Sequence, residues 1–341
     1  MTAHLSQMGC SVSLYNRSYE KIRLLNQASG IRMKGSMHGV GHPQLITQDL
    51  AEAVRDTHLI MVVTTADAHR QIAEQLIPLL TDGQIIVLNP GRTGGALEFR
   101  HVLDQRVKRR IYVAETQSLV YACRIIRAGV VRIIGVKTHV PLCALPNCDT
   151  PYVSGSLRKL YSCFVPAANV LVTSLENIGA VFHPAIVLFN AATIERGQRF
   201  HFYHDMTSQI SDFLEKLDRE RLAIGRAYGL NLVSASDWIV KAYPGTPGQS
   251  LCDRMRANPA YSGILAPETL FTRYLFEDLA TGLVPFVELA EVAGVRTPLM
   301  RSLVDIGGAL LGTDFWKQGR TLEAMGLAGM NRSQILEFVN Q

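Results

Sequence analysis

Residues 84–99 read QIIVLNPGRTGGALEF, and this stretch carries the clearest structural signal in the chain. It opens with the apolar run Gln84–Leu88, which is typical of a strand buried on both faces of a parallel sheet. A loop rich in proline and glycine follows, and an amphipathic helix is predicted over Ala96–Gln105. A strand, a loop and a helix in this order form the repeating part of a βαβ unit.

The same alternation of strand and helix recurs on both sides of that stretch. Strands that alternate with helices at this spacing usually pair in parallel, so the sequence predicts a Rossmann-like, doubly wound α/β domain over residues 1–174. The predicted strands are Ser11–Tyr15, Leu59–Val63, Gln84–Leu88, Arg110–Val113 and Val130–Val136. The predicted helices are Tyr19–Gln27, Asp49–Arg55, Ala68–Leu80 and Ala96–Gln105.

After about Leu175 the strand signal ends and helical periodicity takes over. We therefore expect an all-helical domain over residues 175–341. Asn331, followed by Gln334, is a predicted N-terminal cap for the last helix. The predicted helices are Glu176–Arg196, Thr207–Tyr228, Ser234–Ala242, Pro285–Ala293, Thr297–Leu311 and Arg332–Val339.

The composition excludes several classes of protein. Of the 341 residues 48% are hydrophobic and 18% charged, which is typical of a folded protein with a large core and not of a disordered one. The formal net charge is +5, but the basic residues are scattered and are not interleaved with aromatic residues on one face. We therefore expect no nucleic-acid partner, and interpret the surplus as an attraction for anionic small molecules.

Neither a metal site nor a membrane span is expected. The six cysteines lie at irregular spacings without a zinc-like pair, which indicates reduced thiols in a cytoplasmic protein. The apolar stretch Ile178–Ile194 is 17 residues long and contains His183 and Pro184, so it is too short and too polar to cross a bilayer. The apolar helix Leu299–Leu311 is interpreted as either core or the surface of a homodimer.

The front end of the dinucleotide domain departs from the usual order. Such a domain opens with a strand and a Gly-x-Gly-x-x-Gly turn, whose backbone N–H groups meet the pyrophosphate. Here Met1–Met8 is typical of the last turns of a helix that ends at Gly9, and the next strand follows at once. The favoured interpretation is that Met1 is an internal residue of a longer protein. The alternative is a truncated form that binds dinucleotide poorly.

The residues after the first strand predict which dinucleotide is bound. Asn16, Arg17 and Ser18 stand where an NAD enzyme usually carries the acidic residue that holds the ribose hydroxyls. A cation and a hydroxyl suit the 2′-phosphate of NADP instead. NADP is therefore the expected cofactor and NAD the alternative, unless Arg17 is an ordinary solvated arginine.

Four further motifs stand out along the chain, namely NPGRTGGALEF (Asn89–Phe99), AETQS (Ala114–Ser118), ENIGAVFHP (Glu176–Pro184) and EDLATGLVP (Glu277–Pro285). Together they resemble the octopine/nopaline dehydrogenase (opine dehydrogenase) family over nearly the whole chain except the glycine turn. The resemblance implies an NAD(P)H-dependent oxidoreductase that condenses an α-amino acid with an α-keto acid and reduces the imine that they form.

The resemblance also implies which residues carry the chemistry. His183 is the implied acid–base residue, because a histidine can pass protons near neutral pH, and Asp278 is implied to orient it. Pro184 is expected to kink the helix so that His183 projects toward a cleft. Taken alone, a histidine in an apolar helix is more often an ordinary core residue, and Asp278 a surface or capping residue.

The predicted substrate-binding residues are Arg273, Asn177 and Thr116. Both substrates carry a carboxylate, which the guanidinium fork of Arg273 could bind, unless it forms an ordinary surface ion pair. Asn177 could hydrogen-bond the nicotinamide or the substrate carbonyl, with a helix cap as the alternative. Ligands of open α/β sheets bind beyond the carboxyl ends of strands, where Thr116 lies.

The remaining cofactor residues are predicted at the same strand ends, unless these are ordinary βα loops. Glycines there are expected to let the backbone approach the cofactor. These predicted residues are Thr64, Thr65, Ala66, Pro90, Gly91 and Glu115.

Two other interpretations stay open. A ketopantoate reductase or 3-hydroxyacid dehydrogenase of the same two-domain superfamily would use a helical lysine beside an asparagine, and no lysine occurs between Glu176 and Arg199. A truncated, non-catalytic homologue is supported only by the absent glycine turn.

Overall fold

The computed structural model describes all residues from 1 to 341. The strands are β1 Ser13–Tyr15, β2 Ile31–Gly35, β3 Gly39–Gly41, β4 Leu45–Thr47, β5 Leu59–Val62, β6 Ile85–Leu88, β7 Tyr112–Thr116, β8 Tyr121–Arg127, β9 Val130–Val136, β10 Val140–Leu145 and β11 Phe164–Pro166. The helices of this α/β half are α1 Thr2–Gln7, α2 Tyr19–Asn26, α3 Leu50–Val54, α4 His69–Leu76, α5 Gly95–Asp104 and α6 Thr150–Leu157.

The helical half follows β11. Its helices are α7 Val170–Leu175, α8 Ile178–Phe189, α9 Ala191–Glu195, α10 Ser208–Ala227, α11 Ala235–Ala242, α12 Leu251–Ala257, α13 Arg273–Asp278, α14 Val284–Val292, α15 Pro298–Leu311, α16 Phe315–Gln318 and α17 Arg332–Val339. A π-helix, Leu279–Leu283, connects α13 to α14.

The predicted parallel sheet is present in the α/β half. Strands β5, β6 and β7 pair in parallel, and the sheet continues through β10 and β11 in the order β11–β10–β7–β6–β5. Strands β10 and β11 break the pattern, because they run parallel to each other and antiparallel to β7. Strands β1 and β4 form a separate parallel pair. The prediction of a Rossmann-like α/β domain followed by helices is confirmed.

The strand predicted at Val130–Val136 exists, but its expected place in the parallel sheet is wrong. It is β9, which lies in a second sheet of order β3–β2–β9–β8 and runs antiparallel to β8. A tight turn joins β8 to β9 at Gly129, whose φ of +71° favours glycine. The sequence analysis missed β8 because its residues pass from buried to exposed along the strand and do not alternate.

The burial of the central strand β6 explains why its sequence is apolar throughout. All four of its residues are completely buried. Ile86 and Leu88 belong to a core of 61 buried residues that extends through the helical half, whereas Ile85 and Val87 belong to a core of 16 residues. Because the side chains of a strand alternate between its faces, β6 supplies both cores.

Most predicted helices of the second half are confirmed to within two residues. The predicted helix Glu176–Arg196 is divided into α8 and α9 at Asn190, and α8 continues through Pro184 to Phe189. The capping pair of Asn331 and Gln334 is present at the start of α17. Four short helices, α7, α12, α13 and α16, were not predicted.

One helical stretch, Val170–Phe189, is long and apolar enough to cross a membrane. However, 89% of its most apolar window is buried inside the protein. The stretch comprises α7 and α8, which supply many residues of the larger core.

A buried arginine joins the two halves of the molecule. Arg320, which follows α16, is only 2% exposed. Its Nε donates to Glu98 Oε2 at 2.7 Å, and its terminal nitrogens donate to the carbonyls of Ala66, Gly91 and Thr93 at 3.0, 3.3 and 2.8 Å. These carbonyls lie in the loops after β5 and β6, so Arg320 holds both loops against the helical half.

Replacing Arg320 with methionine should lower the free energy of unfolding by about 3–5 kcal/mol, because buried Glu98 would keep only its longer contact with the half-exposed Arg70. Urea-induced unfolding measures the change. The double variant Arg320→Met/Glu98→Leu is expected to recover part of the loss, since no lone charge remains. A single variant as stable as the parent would show that this ion pair does not hold the halves together.

Candidate active site

His183 and Asp278 lie side by side, although 95 positions separate them in the sequence. His183 Nδ1 is 2.7 Å from Asp278 Oδ2, and both residues are buried. His183 is on α8 and Asp278 is the last residue of α13. The packing of these two helices therefore brings together the two residues predicted to be catalytic.

Two glycines let the helices come this close. A Cβ on Gly179 would lie 3.3 Å from Asp278 Oδ1 and 2.8 Å from Arg92 Nη1. A Cβ on Gly282 would lie 2.6 Å from the Cβ of Ala180. Gly282 is in the π-helix that starts directly after Asp278, and π-helical segments are rare and often occur at functional sites. The approach of α8 to this segment thus depends on residues without side chains.

Burial and charge together set the protonation of the pair. Burial lowers the pKa of His183, and the Asp278 carboxylate opposes that effect. Burial alone would raise the pKa of Asp278, but His183 and then Arg92 hold that pKa below its usual value. At neutral pH the pair is an ionised carboxylate that accepts from Nδ1–H of a neutral imidazole. The nitrogen that is left to accept a proton is Nε2.

Aromatic side chains surround His183. The hydroxyl of Tyr203 lies 2.9 Å from Nε2, and the ring of Tyr274 is 4.3 Å from the imidazole ring, centre to centre. Burial raises the pKa of Tyr203 well above its usual value, so its hydroxyl is neutral and can donate to Nε2. A substrate atom that reaches Nε2 must share or replace this hydrogen bond.

Two arginines flank the pair and share one glutamate. Glu277 on α13 is buried, and its carboxylate accepts from Arg92 Nε at 3.3 Å and from Arg273 Nη1 at 3.1 Å. Arg92 Nη1 also donates to Asn177 Oδ1 at 3.3 Å. Because Asp278 is ionised as well, two carboxylates balance the charges of Arg92 and Arg273 while His183 is neutral. Arg273, whose side chain is 45% exposed, keeps N–H donors that a carboxylate ligand could accept from.

The side chain of Asn177 does not cap its helix. Asn177 precedes α8 in the capping position, but its side chain makes no capping hydrogen bond there. It accepts from Arg92 and donates to Thr93 Oγ1 at 3.2 Å. The residue therefore links the loop after β6 to the start of the helix that carries His183.

The sequence analysis did not identify Arg92, Glu277 or Tyr203 as site residues. Arg92 lies within a motif quoted for the family resemblance, and it has a φ of +61°, a strained conformation that is frequent at functional sites. Glu277 precedes Asp278 in another motif. Tyr203 lies in the segment HFYHD (residues 201–205), in which no local pattern singles out the tyrosine. None of these contacts can be read from local spacing.

Several predicted cofactor residues are placed where they could bind a dinucleotide. Arg17 is exposed directly after β1, and its guanidinium forms no ion pair. Beside it, Asn16 Oδ1 accepts from the backbone N–H of Ser18 at 2.9 Å and shapes this turn. Thr64 and Thr65 are exposed after β5. A free cation and free hydroxyls after parallel strands are the donors that a dinucleotide phosphate requires, so these residues fit the group.

The structure gives Glu115 a different role from the predicted one. Its carboxylate is completely buried and accepts from Ala96 N, Thr173 Oγ1 and Ser174 Oγ at 2.7, 2.5 and 3.0 Å. Burial raises its pKa, and these hydrogen bonds oppose the rise. Glu115 thus links β7 to α5 and α7. We therefore correct its predicted role from a cofactor ligand to a structural residue that connects these elements.

Gly91 and Thr116 both contact the protein itself. A Cβ on Gly91 would collide with the carboxylate of Glu115, so this glycine makes room for Glu115, and its contact with a cofactor stays a prediction. Thr116 is completely buried, and its hydroxyl donates to the carbonyls of Leu88 and Ser118 at 3.4 and 3.1 Å. No donor of Thr116 remains free for a substrate in this arrangement.

Ala66 and Pro90 lie at the predicted strand ends. The backbone groups of Ala66 bind other parts of the protein, and Pro90 has no backbone N–H to donate. The N–H of Ala66 donates to Glu277 Oε1 at 3.1 Å, while its carbonyl accepts from Arg320. Ala66 therefore connects the loop after β5 to the active-site glutamate. Pro90 is half-buried and has no N–H to offer, and its contact with a cofactor stays a prediction.

Comparisons with known proteins agree with this geometry. Residues 166–311 match the family model described as NAD/NADP octopine/nopaline dehydrogenase, alpha-helical domain. An opine dehydrogenase of Arthrobacter sp. (strain 1C) is 37% identical over 339 residues, which cover 99% of this chain and 94% of that protein. The chain belongs to the opine dehydrogenase family. It is an NAD(P)-dependent oxidoreductase that acts on CH–NH donors, which decides against the ketopantoate reductase-like and 3-hydroxyacid dehydrogenase-like alternatives.

Two solved structures show the same fold as this opine dehydrogenase. Octopine dehydrogenase in complex with NADH and agmatine superposes with a TM-score of 0.80 at 19% identity, covering 98% of this chain and 94% of the other. Yersinopine dehydrogenase with bound NADP⁺ superposes with a TM-score of 0.72 at 15% identity, covering 100% and 94%.

Replacing Asp278 with asparagine should move the pH profile of this opine dehydrogenase toward lower pH. The carboxylate raises the pKa of His183 against the effect of burial, so its loss lowers the pH at which the imidazole takes up a proton. We expect the limb of kcat/KM to move by roughly 1–3 pH units. The exposed Asp212→Asn on α10 is the matched control. A limb that stays in place would mean that Asp278 does not tune His183.

Proposed function

We propose that this opine dehydrogenase condenses an α-amino acid with an α-keto acid and reduces the product to a secondary amine that carries both carboxylates. The observation that carries this proposal is the buried pair of His183 and Asp278 with two arginines beside it. An acid–base histidine suits the interconversion of carbonyl, carbinolamine and imine. The guanidinium groups suit substrates that each carry a carboxylate next to the reacting carbon.

The protons of the condensation are assigned to His183. The amine attacks the keto carbon and forms a carbinolamine, whose hydroxyl must leave as water to give the imine. His183 Nε2 accepts the proton released by the attacking amine and returns one to the leaving hydroxyl. The carboxylate of Asp278 stabilises the imidazolium between these steps and fixes its orientation. When bound, the reduced nicotinamide supplies the hydride that converts the imine carbon to the amine.

The guanidinium groups of Arg273 and Arg92 are proposed to hold the substrate carboxylates. Arg273 is the more open of the two, with 45% of its side chain exposed against 15% for Arg92. Glu277 accepts from both guanidinium groups and so keeps them in place. Asn177 is proposed to act next to them, through its contact with Arg92, on the carbonyl of the keto acid or the nicotinamide.

We also propose a domain division, an oligomeric state and a cellular location for the protein. A division into residues 1–174 and 175–341 is supported by the end of the last strand at Pro166. A homodimer through α15 is supported by Ile306 and Leu310, which are 55% and 46% exposed, and sedimentation analysis would test it. A cytoplasmic location agrees with the six free cysteines.

The function is tested by incubating the protein with NADPH and pairs of one amino acid and one keto acid. Consumption of NADPH should require both acids, and mass spectrometry should find their condensation product, reduced and one water lighter. His183→Ala is expected to lower kcat by roughly 10²–10⁴-fold. Consumption of NADPH with a keto acid alone, or unchanged turnover in His183→Ala, would contradict the proposal.

Arg17→Ala should weaken the binding of NADPH more than that of NADH. The reason is that the unpaired guanidinium after β1 is placed to meet the 2′-phosphate, which NADH lacks. Titration of each nucleotide against the variant and against the exposed control Arg158→Ala measures the difference. Equal weakening of both nucleotides would contradict the preference for NADP.

A further inference from the structure

Both ring nitrogens of His183 have a partner within the protein. Nδ1–H donates to Asp278 Oδ2 at 2.7 Å, and the hydroxyl of Tyr203 lies 2.9 Å from Nε2. A neutral imidazole accepts a hydrogen bond through one nitrogen only, and here that nitrogen is Nε2. The single acceptor position of the catalytic base is therefore filled by a tyrosine hydroxyl. A substrate proton can reach Nε2 only after Tyr203 moves away, or by passing through its oxygen.

The packing around Tyr203 opposes such a movement. Its ring stacks on Tyr261 with centres 4.1 Å apart, and it meets the ring of Phe202 at nearly a right angle with centres 4.9 Å apart. All three rings are buried. The backbone of this segment is held as well, since Phe202 N donates to Ile264 O at 2.8 Å. Because buried side chains are close-packed, turning Tyr203 away from Nε2 would require its neighbours to repack.

The hydroxyl oxygen of Tyr203 keeps an unused acceptor position. Its only hydrogen-bond partner is His183 Nε2, and no protein group donates to it. A phenol can donate one hydrogen bond and accept another at the same time. Oη can therefore accept from an N–H or O–H group of a substrate while it still donates to Nε2.

The proposed carboxylate ligand Arg273 lies near both groups. Its guanidinium is 5.0 Å from the ring of Tyr274, which is itself 4.3 Å from the imidazole ring of His183. Burial has the larger effect on the pKa of Tyr203 and on that of His183, but the charge of Arg273 acts on both groups and lowers each pKa. Since the carboxylate of each substrate is bonded to the reacting carbon, a substrate held by Arg273 reacts close to both groups.

We propose that Tyr203 is a further catalytic residue, whose hydroxyl touches the substrate and relays each proton between the substrate and His183. The inference rests on the proposed function, because it adds one group to the proton path assigned there to His183. It accounts for a catalytic base whose only acceptor nitrogen is covered by a fixed hydroxyl. The substrate approaches Oη, and Tyr203 stays in place during the reaction.

The relay works in two balanced cycles, each of which takes one proton from the substrate nitrogen and returns it to the substrate oxygen. In the first half of a cycle this proton passes to Oη while the phenolic proton passes to Nε2, and in the second half both transfers reverse. The first cycle frees the ammonium nitrogen to attack the keto carbon and protonates the keto oxygen. The second makes the carbinolamine hydroxyl leave as water while the nitrogen lone pair forms the protonated imine. Tyr203 and His183 are neutral again after each cycle.

Tyr203→Phe removes the relaying oxygen and keeps the ring. We expect this variant to lower kcat by roughly 10²–10⁴-fold, the usual effect of losing an acid–base group, with little change in KM for either acid. The matched control is Tyr228→Phe, because Tyr228 is also buried and its hydroxyl donates to Leu289 O at 2.9 Å inside the core. A kcat of Tyr203→Phe that equals or exceeds that of the control would overturn the relay, since the substrate would then reach Nε2 directly.

A second measurement distinguishes a relay from a tyrosine that only holds the imidazole in position. With the oxidised nucleotide no hydride is available, so the loss of isotopically labelled carbonyl oxygen from a keto acid to water reports formation and dehydration of the carbinolamine alone. The rate without the amino acid is subtracted. Two protons move together in each transfer, so the rate should fall along a curve as heavy water replaces water. A straight line in the parent protein would mean that one proton moves, and would overturn the relay.

The two proposals fail in different ways. A parent protein that turns over no pair of acids and releases no labelled oxygen contradicts the proposed function, and the relay falls with it. A parent that does both, loses both activities in His183→Ala and keeps them in Tyr203→Phe contradicts the relay alone.

Discussion

The ion pair of Arg320 and Glu98 is the constraint on which the geometry of the site depends. Arg320 lies near the end of the helical half, yet its guanidinium donates hydrogen bonds to the loops after β5 and β6. It bonds to the carbonyls of Gly91 and Thr93, on either side of Arg92. This contact holds Arg92 in its strained backbone conformation and aims its side chain at α8. Without it, the loop that carries a site arginine would be free to relax.

The charges of the site are balanced by sharing and not by simple pairing. Glu277 accepts hydrogen bonds from Arg92, Arg273 and the backbone N–H of Ala66, and Asp278 is paired with His183. Because the cluster is buried, each of these contacts is stronger than it would be in water, and each uncompensated charge costs more. Two guanidinium groups and two carboxylates therefore balance while His183 is neutral, and Arg273 is the partly exposed member of the cluster.

The fold class could be predicted because its signals are local: the run Ile85–Leu88 is apolar since both of its faces are buried. The pair of His183 and Asp278 could be predicted only because each residue stands in a motif that resembles the family, since neither residue has a local signal of its own. The wrong predictions concern residues whose place or role depends on contacts with distant parts of the chain. The sequence of Val130–Val136 favours a strand whichever sheet it joins. Only its hairpin with β8 places this strand outside the parallel sheet. Glu115 ends a strand where ligands commonly bind, but Thr173 and Ser174 from the helical half take up its carboxylate.

The sequence by itself determined the α/β half, the helices that follow it, and the family motifs that contain His183 and Asp278. Hydrophobic periodicity and short motifs express these properties within a few residues of chain. The tertiary structure alone decided which charges meet. Arg320 lies 222 positions from Glu98, and Arg92 lies 185 positions from Glu277. Tyr203 reaches His183 only through the packing of a loop onto α8. Such contacts arise from the packing of the two halves around a common core, and no local pattern in the chain encodes them.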